Sequence, residues 1–412
     1  MLCHLTSLPD SGLNGAQRFL EWMRDAGYSA WQMLPVTPPD EHGSPYASPS
    51  AFAGWPEFMQ SHRMERNDED EYWMDDWALY AAIKQAHEGR PWFEWPEPLR
   101  NRDHQALEAY REDAQVHLEQ QVRFNAAWAD LKQHAANQGI HLIGDVPIFI
   151  SHDSADVWAH RHLFQLDEQG MPTHVAGVPP DYFSEDGQRW GTVLYDWEAH
   201  RQDGWRWWKE RMKRMFRLFD TVRIDHFRGI HSNWAIPVED EHARNGHWQT
   251  GPGEEWLQAI VALVPSPENI LAEDLGIIPD EVIDLRRRFG LPGMAVLHFG
   301  FNSDNANNPH HPANIQPDQV VYTGTHDNDT TMGWWDALDP STQSEVSSLM
   351  KPNESPPQAL IRIAQSCNAR MSIIPLQDVL ELDSSARMNT PGTAHDNWKW
   401  SFSWDDLLHG QS

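Results

Sequence analysis

Four short apolar runs in this chain each close on a carboxylate followed by turn-forming or polar residues. They are His141-Leu142-Ile143-Gly144-Asp145, Thr221-Val222-Arg223-Ile224-Asp225, Asn269-Ile270-Leu271-Ala272-Glu273-Asp274 and Val320-Val321-Tyr322-Thr323-Gly324-Thr325-His326-Asp327. A strand of a parallel sheet is covered on both faces, so it reads as a continuous apolar run. The same reading predicts eight strands: Leu2–Ser7, Ala30–Val36, His141–Ile150, Thr221–Asp225, Asn269–Glu273, Met294–Phe299, Val320–Gly324 and Ser372–Gln377. Helical patterns separate many of them. Gln17–Ala26 sets Phe19, Leu20 and Met23 on one face and stops at Gly27, and Glu281–Phe289 stops at Gly290. Glycine is a favoured residue just past a helix end. Strands alternating with helices predict an α/β fold with right-handed crossovers, and eight of them a (β/α)8 TIM barrel.

The strand spacing is uneven. The second and third predicted strands are separated by an acidic run, Asp68-Glu69-Asp70-Glu71, and a long helical stretch, His104–Asn137, closed by Gly139. This predicts a helical subdomain inserted over about 37–139. A second insertion, 151–205, is rich in Gly, Pro and Trp, and a third, 228–255, reads as a polar loop with Gly246, Gly251 and Gly253. Long loops without structure of their own are usually functional, so these two are expected to form a cover. With no repeat or linker visible, 1–412 is read as a single catalytic barrel carrying these insertions.

Composition narrows the partners. Asp and Glu number 61 against 31 Lys and Arg, a formal net charge of −30. Such a surface repels polyanions, which argues against nucleic acid and is compatible with a neutral substrate such as sugar. No apolar stretch approaches the roughly 20 residues that span a bilayer, so no membrane partner is expected. The opening Met1-Leu2-Cys3-His4-Leu5 has no basic segment before an apolar run, and Cys3 and Cys367 are the only cysteines. These predict a reducing, cytoplasmic setting. The 22 tryptophans are read mostly as core fillers, with a handful left to line a glycan cleft.

Acids at the C-terminal ends of barrel strands converge on the mouth, where barrel chemistry is done. Cleaving a glycosidic bond with retention needs two carboxyl groups about 5–5.5 Å apart. Asp225 suits the nucleophile: Arg223 lies two residues earlier on the same strand face and would keep it ionised. Glu273, with its longer side chain, suits the general acid/base. Asp327 is the third acid, placed to hold sugar hydroxyls, with His326 beside it as a donor. Arg223 with Asp225 also fits a plain structural ion pair, and Glu273-Asp274 a helix start. His310-His311 reads as loop surface. No zinc-type spacing, phosphate loop or dinucleotide fingerprint is present, so no metal and no organic cofactor is expected.

Several longer motifs extend the pattern. Arg223-Ile224-Asp225-His226-Phe227-Arg228-Gly229, Leu271-Ala272-Glu273-Asp274-Leu275-Gly276 and Tyr322-Thr323-Gly324-Thr325-His326-Asp327-Asn328-Asp329-Thr330-Thr331 closely resemble the amylomaltase (4-α-glucanotransferase) family, a relative of the α-amylase barrels. So do Thr6-Ser7-Leu8-Pro9, Gly43-Ser44-Pro45-Tyr46, Ser50-Ala51-Phe52-Ala53-Gly54, Gly177-Val178-Pro179-Pro180-Asp181-Tyr182-Phe183 and Ala386-Arg387-Met388-Asn389. The resemblance runs through nearly the whole chain. It implies Asp225 as nucleophile, Glu273 as acid/base and Asp327 as transition-state stabiliser. It implies sugar contacts at Arg223, His326, Asp145, Tyr46, Trp190, Gln188, Asn397 and Trp234, with the segment Trp234-Ala235-Ile236-Pro237 to Gly246-His247-Trp248 as a cover. The implied reaction is segment transfer from an α-1,4-glucan to the 4-hydroxyl of an acceptor by a retaining double displacement, with malto-oligosaccharides and glucose as partners. A hydrolase on the same scaffold and a non-catalytic glycan-binding barrel are the alternatives. The chain departs from the family pattern at Gly54-Trp55-Pro56 and Gly191-Thr192-Val193, where Gly-Asn-Pro is usual.

Overall fold

The computed structural model describes residues 1–10, 12–59, 72–180, 186–301, 305–393 and 395–409. The acidic run at 68–71 and the Asp181-Tyr182-Phe183 part of the glycine-proline motif lie outside the described residues.

In chain order the strands are β1 (Ala30–Gln32), β2 (His141–Pro147), β3 (His174–Val178), β4 (Gln188–Val193), β5 (Thr221–Asp225), β6 (Ser232–Pro237), β7 (His247–Thr250), β8 (Ile270–Ala272), β9 (Gly293–Val296), β10 (Gln319–Tyr322) and β11 (Met371–Ile373). Two parallel sheets form the centre, ordered β1-β2-β5-β8 and β11-β10-β9. Main-chain bonds also run between the two sheets. The Leu2 amide donates to Ile374 (2.8 Å), the Leu376 amide to Leu2 (3.0 Å) and the Cys3 amide to Gln32 (3.1 Å). At the other margin the Ala272 amide donates to Pro292 (2.9 Å).

The strands predicted from apolar runs are present but mostly shorter. The first shrinks to Leu2, which bridges Gln32 and Pro375 and is followed by a 3-10 turn over Leu5–Ser7. Met294–Phe299 ends its ladder at Val296 and continues as a 3-10 turn. The reason is that an apolar run records burial, not ladder membership. Leu34, Val36, Ile148 and Leu297 have left the strand yet remain buried beneath covering segments.

The helices around this centre include α1 (Leu13–Asp25), α2 (Met74–Ala86), α3 (Arg111–Asn137), α4 (Arg206–Leu218) and α5 (Asp280–Arg288). Phe19, Leu20 and Met23 of α1 are fully buried, as their shared face requires. The long stretch expected over His104–Asn137 is divided: a short helix, His104–Glu108, capped by Asp103, precedes α3. No helix of the described residues is long and apolar enough to cross a membrane.

The two segments read as loops, 151–205 and 228–255, contain a four-stranded antiparallel sheet instead, ordered β4-β3-β6-β7. Its outer strands β4 and β7 are largely exposed and polar. Strands that face solvent and are held by their ladders carry no apolar run to announce them. Eleven tryptophans are buried, Trp31, Trp128, Trp158, Trp207, Trp208 and Trp256 among them, whereas Trp190 and Trp248 stand out as exposed.

Gly144 of β2 allows Phe219 to press against the sheet: a β-carbon there would lie 2.2 Å from the Phe219 ring. Gly144→Ala should therefore destabilise the protein by about 1–3 kcal/mol, the usual cost of overpacking. Denaturant unfolding measures it, and an unchanged midpoint would refute the contact.

Candidate active site

Side chains at corresponding heights on neighbouring parallel strands meet, and the β2–β5 register sets Asp145 opposite Arg223. Asp225 ends β5, two residues beyond Arg223 and on the same face. The Arg223 guanidinium is buried and donates through Nη1 to both carboxylate oxygens of Asp145 (2.8 Å each). Its Nη2 lies 2.9 Å from Asp225 Oδ1. Burial alone would favour discharging Arg223, but Asp145 and Asp225 outweigh it and raise its pKa, so it stays cationic. Burial pushes the Asp145 carboxyl up, and Arg223 opposes that shift. The Tyr46 hydroxyl donates to Asp145 Oδ2 (2.8 Å). Burial, with Asp145 next to it, raises the Tyr46 pKa and keeps it a phenol.

Glu273 follows β8 directly. Its Oε2 accepts the His226 amide (2.6 Å) and its Oε1 the Leu275 amide (3.0 Å). His226 is the residue after Asp225 and adopts φ 50°, ψ 52°, a left-handed conformation that side-chain-bearing residues seldom take. The Phe227 amide also donates to the Glu273 carbonyl (3.0 Å), and the Glu273 amide to Ile224 (3.1 Å). The two acids are thus tied through adjoining main chain. Burial pushes the Glu273 carboxyl up to about 8; the Asp225 charge adds to the rise, while Arg223 and the two amides oppose it. Glu273 therefore holds its proton at neutral pH.

Asp327 lies beyond β10. Its Oδ1 accepts from Asn389 Nδ2 (2.6 Å) and faces His326 Nε2 (3.4 Å), and its carbonyl accepts from Arg387 (2.7 Å). The His326 ring stacks on Tyr46 with centroids 5.2 Å apart and planes 9° apart, and Trp398 packs on both. Contacts therefore run unbroken from Asp225 through Arg223, Asp145, Tyr46 and His326 to Asp327. The side chains of Asp225 and Asp327 remain 30% and 45% exposed, so both acids open to the cleft while Arg223 and Asp145 are sealed beneath them.

The other nominated residues divide. Trp190, on β4, sets its ring edge-on to His226 (4.8 Å, 86°), and its indole N–H donates to Gln188 Oε1 (3.2 Å), so both stand at the rim. Trp234 donates its indole N–H to the Ala243 carbonyl (2.8 Å) and packs within its own hairpin. Asn397 is buried; its side chain donates to Thr393 and accepts from the Thr390 amide, so it shapes the loop that presents Trp398. Sequence reasoning did not nominate Asn389, Arg387, Trp398 or the amides of His226 and Leu275. The first two stand in the Ala386–Asn389 motif, which was the one signal for them. The amides have none, because any residue supplies an N–H.

A family model described as 4-alpha-glucanotransferase matches residues 3–70 and 66–406. The chloroplastic/amyloplastic 4-alpha-glucanotransferase of Arabidopsis thaliana is 40% identical, the match covering 95% of this chain and 79% of that protein. The 4-alpha-glucanotransferase of Thermus thermophilus is also 40% identical, over 97% of this chain and 93% of that protein. Among solved structures, the amylomaltase from Streptococcus agalactiae in complex with acarbose superimposes with a TM-score of 0.93 at 30% identity, covering 99% of this chain and 95% of that one.

The electrostatics predict that Glu273 titrates near 8. Asp225→Asn should lower that value without restoring an ordinary glutamate, since burial remains. Infrared titration of isotope-labelled carboxyls, assigned with Glu273→Gln, reads both shifts. A Glu273 already ionised well below neutrality would contradict the site as described.

Proposed function

The chain belongs to the 4-alpha-glucanotransferase family, and from that premise we propose how its own residues carry out the transfer. Asp225 attacks the anomeric carbon of a bound malto-oligosaccharide, while Glu273 gives its proton to the departing glycosidic oxygen. A covalent glucosyl ester on Asp225 forms with inverted configuration. Glu273, now a carboxylate, removes the proton from the 4-hydroxyl of an incoming glucose or glucan, which displaces Asp225 and restores the original configuration. Asp327, held by Asn389 and beside His326, accepts hydrogen bonds from ring hydroxyls as positive charge builds on the sugar. Arg223 neutralises the crowded anions beneath the ring. Tyr46 and Trp190 contact the substrate, with Asp145 holding Tyr46 and Arg223 from beneath and Gln188 orienting Trp190; Trp234 and Asn397 act through the segments they brace.

One observation carries this reading: the His226 amide ties the partly buried Glu273, whose carboxyl is pushed toward its protonated form, to the residue beside Asp225. A retaining reaction needs such a division, one acid charged and one holding its proton.

The scaffold follows the same logic. The main-chain bonds through Leu2 and Ala272 support closure of the two parallel sheets into one (β/α)8 barrel. The barrel spans 1–412, with inserted subdomains at about 37–139, 151–205 and 228–255. The antiparallel β4-β3-β6-β7 sheet covers the mouth, and shielding the ester from water favours a sugar acceptor over hydrolysis. The thiols of Cys3 and Cys367 are free, which supports a cytoplasmic location.

Purified protein incubated with maltotriose should yield glucose and a ladder of products longer than the substrate; glucose without longer products would instead identify a hydrolase. Asp225→Asn should cut turnover by roughly 10⁴- to 10⁶-fold, and Glu273→Gln by roughly 10²- to 10⁴-fold. Persistent activity in Asp225→Asn would remove it as nucleophile. The first step requires protonated Glu273, whose pKa is raised, so kcat/KM should fall as pH climbs through about 8; a profile flat across that range would exclude Glu273 as the acid.

A further inference from the structure

Trp248 has no part in the chemistry derived above, yet it is built as a platform. It lies on β7, in register with Trp234 of β6, and is 41% exposed. The Trp234 ring braces it edge-on at 5.0 Å and 64°. The Arg228 guanidinium lies over its ring, 3.9 Å from the centroid. Arg228 is fixed in turn by donating through Nη1 to the Ile277 carbonyl (2.6 Å). One face of the indole is thus covered by a tethered cation and one edge by an aromatic ring, while the remainder meets solvent.

Both tethers come from chain that follows the reacting acids. Arg228 belongs to the 3-10 turn Phe227–Ile230, directly after Asp225 and His226. Ile277 lies in the connection between Glu273 and α5, and is itself 72% exposed. We propose that Trp248, held by Arg228, is the stacking platform for the acceptor sugar of the transfer. This rests on the reading in which Glu273 is the acid/base. Glu273 serves first the leaving oxygen and then the acceptor hydroxyl, so leaving group and acceptor lie on its side of the cleft. The platform is moored to the Glu273 connection.

The chemistry fits a pyranose. A glucose ring carries an apolar C–H face that an indole accepts, and the face of Trp248 turned away from Arg228 is the one left for it. A ring braced before binding loses little freedom when the sugar arrives. Acceptor choice would then be set by Trp248 rather than by Trp234, whose indole N–H is committed to Ala243.

The test compares wild type with Trp248→Ala, Trp248→Phe and Arg228→Lys, using glucose as acceptor at fixed malto-oligosaccharide donor. Trp248→Ala should raise the half-saturating glucose concentration roughly three- to tenfold, the range expected for one lost aromatic contact. It should also shift products toward hydrolysis, with transfer falling more than acceptor-free cleavage of the same donor. Trp248→Phe should recover part of the loss, and Arg228→Lys should give a smaller shift in the same direction. An unchanged half-saturation for glucose overturns the proposal. Should Trp248→Ala fail to fold, the Phe and Lys variants alone decide. If wild type makes no product longer than its donor, the transferase reading itself fails, a separate outcome from the loss of the platform.

Discussion

One buried cation organises the centre of this protein. Arg223 is sealed from water yet contacts two carboxylates, Asp145 below the cleft and Asp225 at its floor. A guanidinium taken out of water is tolerated only with charged partners in good geometry, and removing one partner of such a group typically costs about 3–5 kcal/mol. The arrangement fixes more than a pair. Asp145 also accepts Tyr46, Tyr46 stacks on His326, and His326 adjoins Asp327. The burial that makes Arg223 demanding therefore also locks the third acid to the first.

The second constraint is the main chain between the acids. His226 accepts a left-handed backbone, and its amide reaches Glu273 as a result. Glu273 is caught between two opposing influences. Burial and the Asp225 charge favour its neutral form, while Arg223 and two amides favour its charged form. The balance leaves a carboxyl that can give up a proton and take it back within an ordinary pH range, as the acid/base role proposed for it requires. Its neighbour Asp274 is turned the other way, paired with buried Arg286 (3.0 Å) and accepting the Met294 amide (2.7 Å). Two adjacent acids thus do unlike jobs: one faces the cleft, and the other joins β8 to β9.

Above this floor the antiparallel sheet supplies a wall with two exposed tryptophans. Trp190 is set against His226 and Trp248 against Arg228. Each is held by the few residues that follow Asp225, so the rim inherits its position from the same strand that positions Asp225. A rim moored in this way presents flat apolar faces without large loss of freedom on binding, which suits a neutral, hydroxyl-rich chain better than a charged one.

Sequence by itself determined the parts of this protein that depend on burial or on the type of one residue. The apolar runs around Asp145, Asp225, Glu273 and Asp327 located the parallel strands, because a strand covered on both faces has no polar alternation. The two-residue step from Arg223 to Asp225 announced their shared face. Tertiary structure alone decided where those strands end, because Leu34, Ile148 and Leu297 are buried by covering segments rather than by ladders. It decided that the supposed loops are an antiparallel sheet, whose exposed outer strands bear no apolar signature. It also separated Trp234 from Trp248, and found the amides of His226 and Leu275. An indole's open face and an N–H's direction are set by neighbours distant in sequence, and no local pattern of residues encodes them.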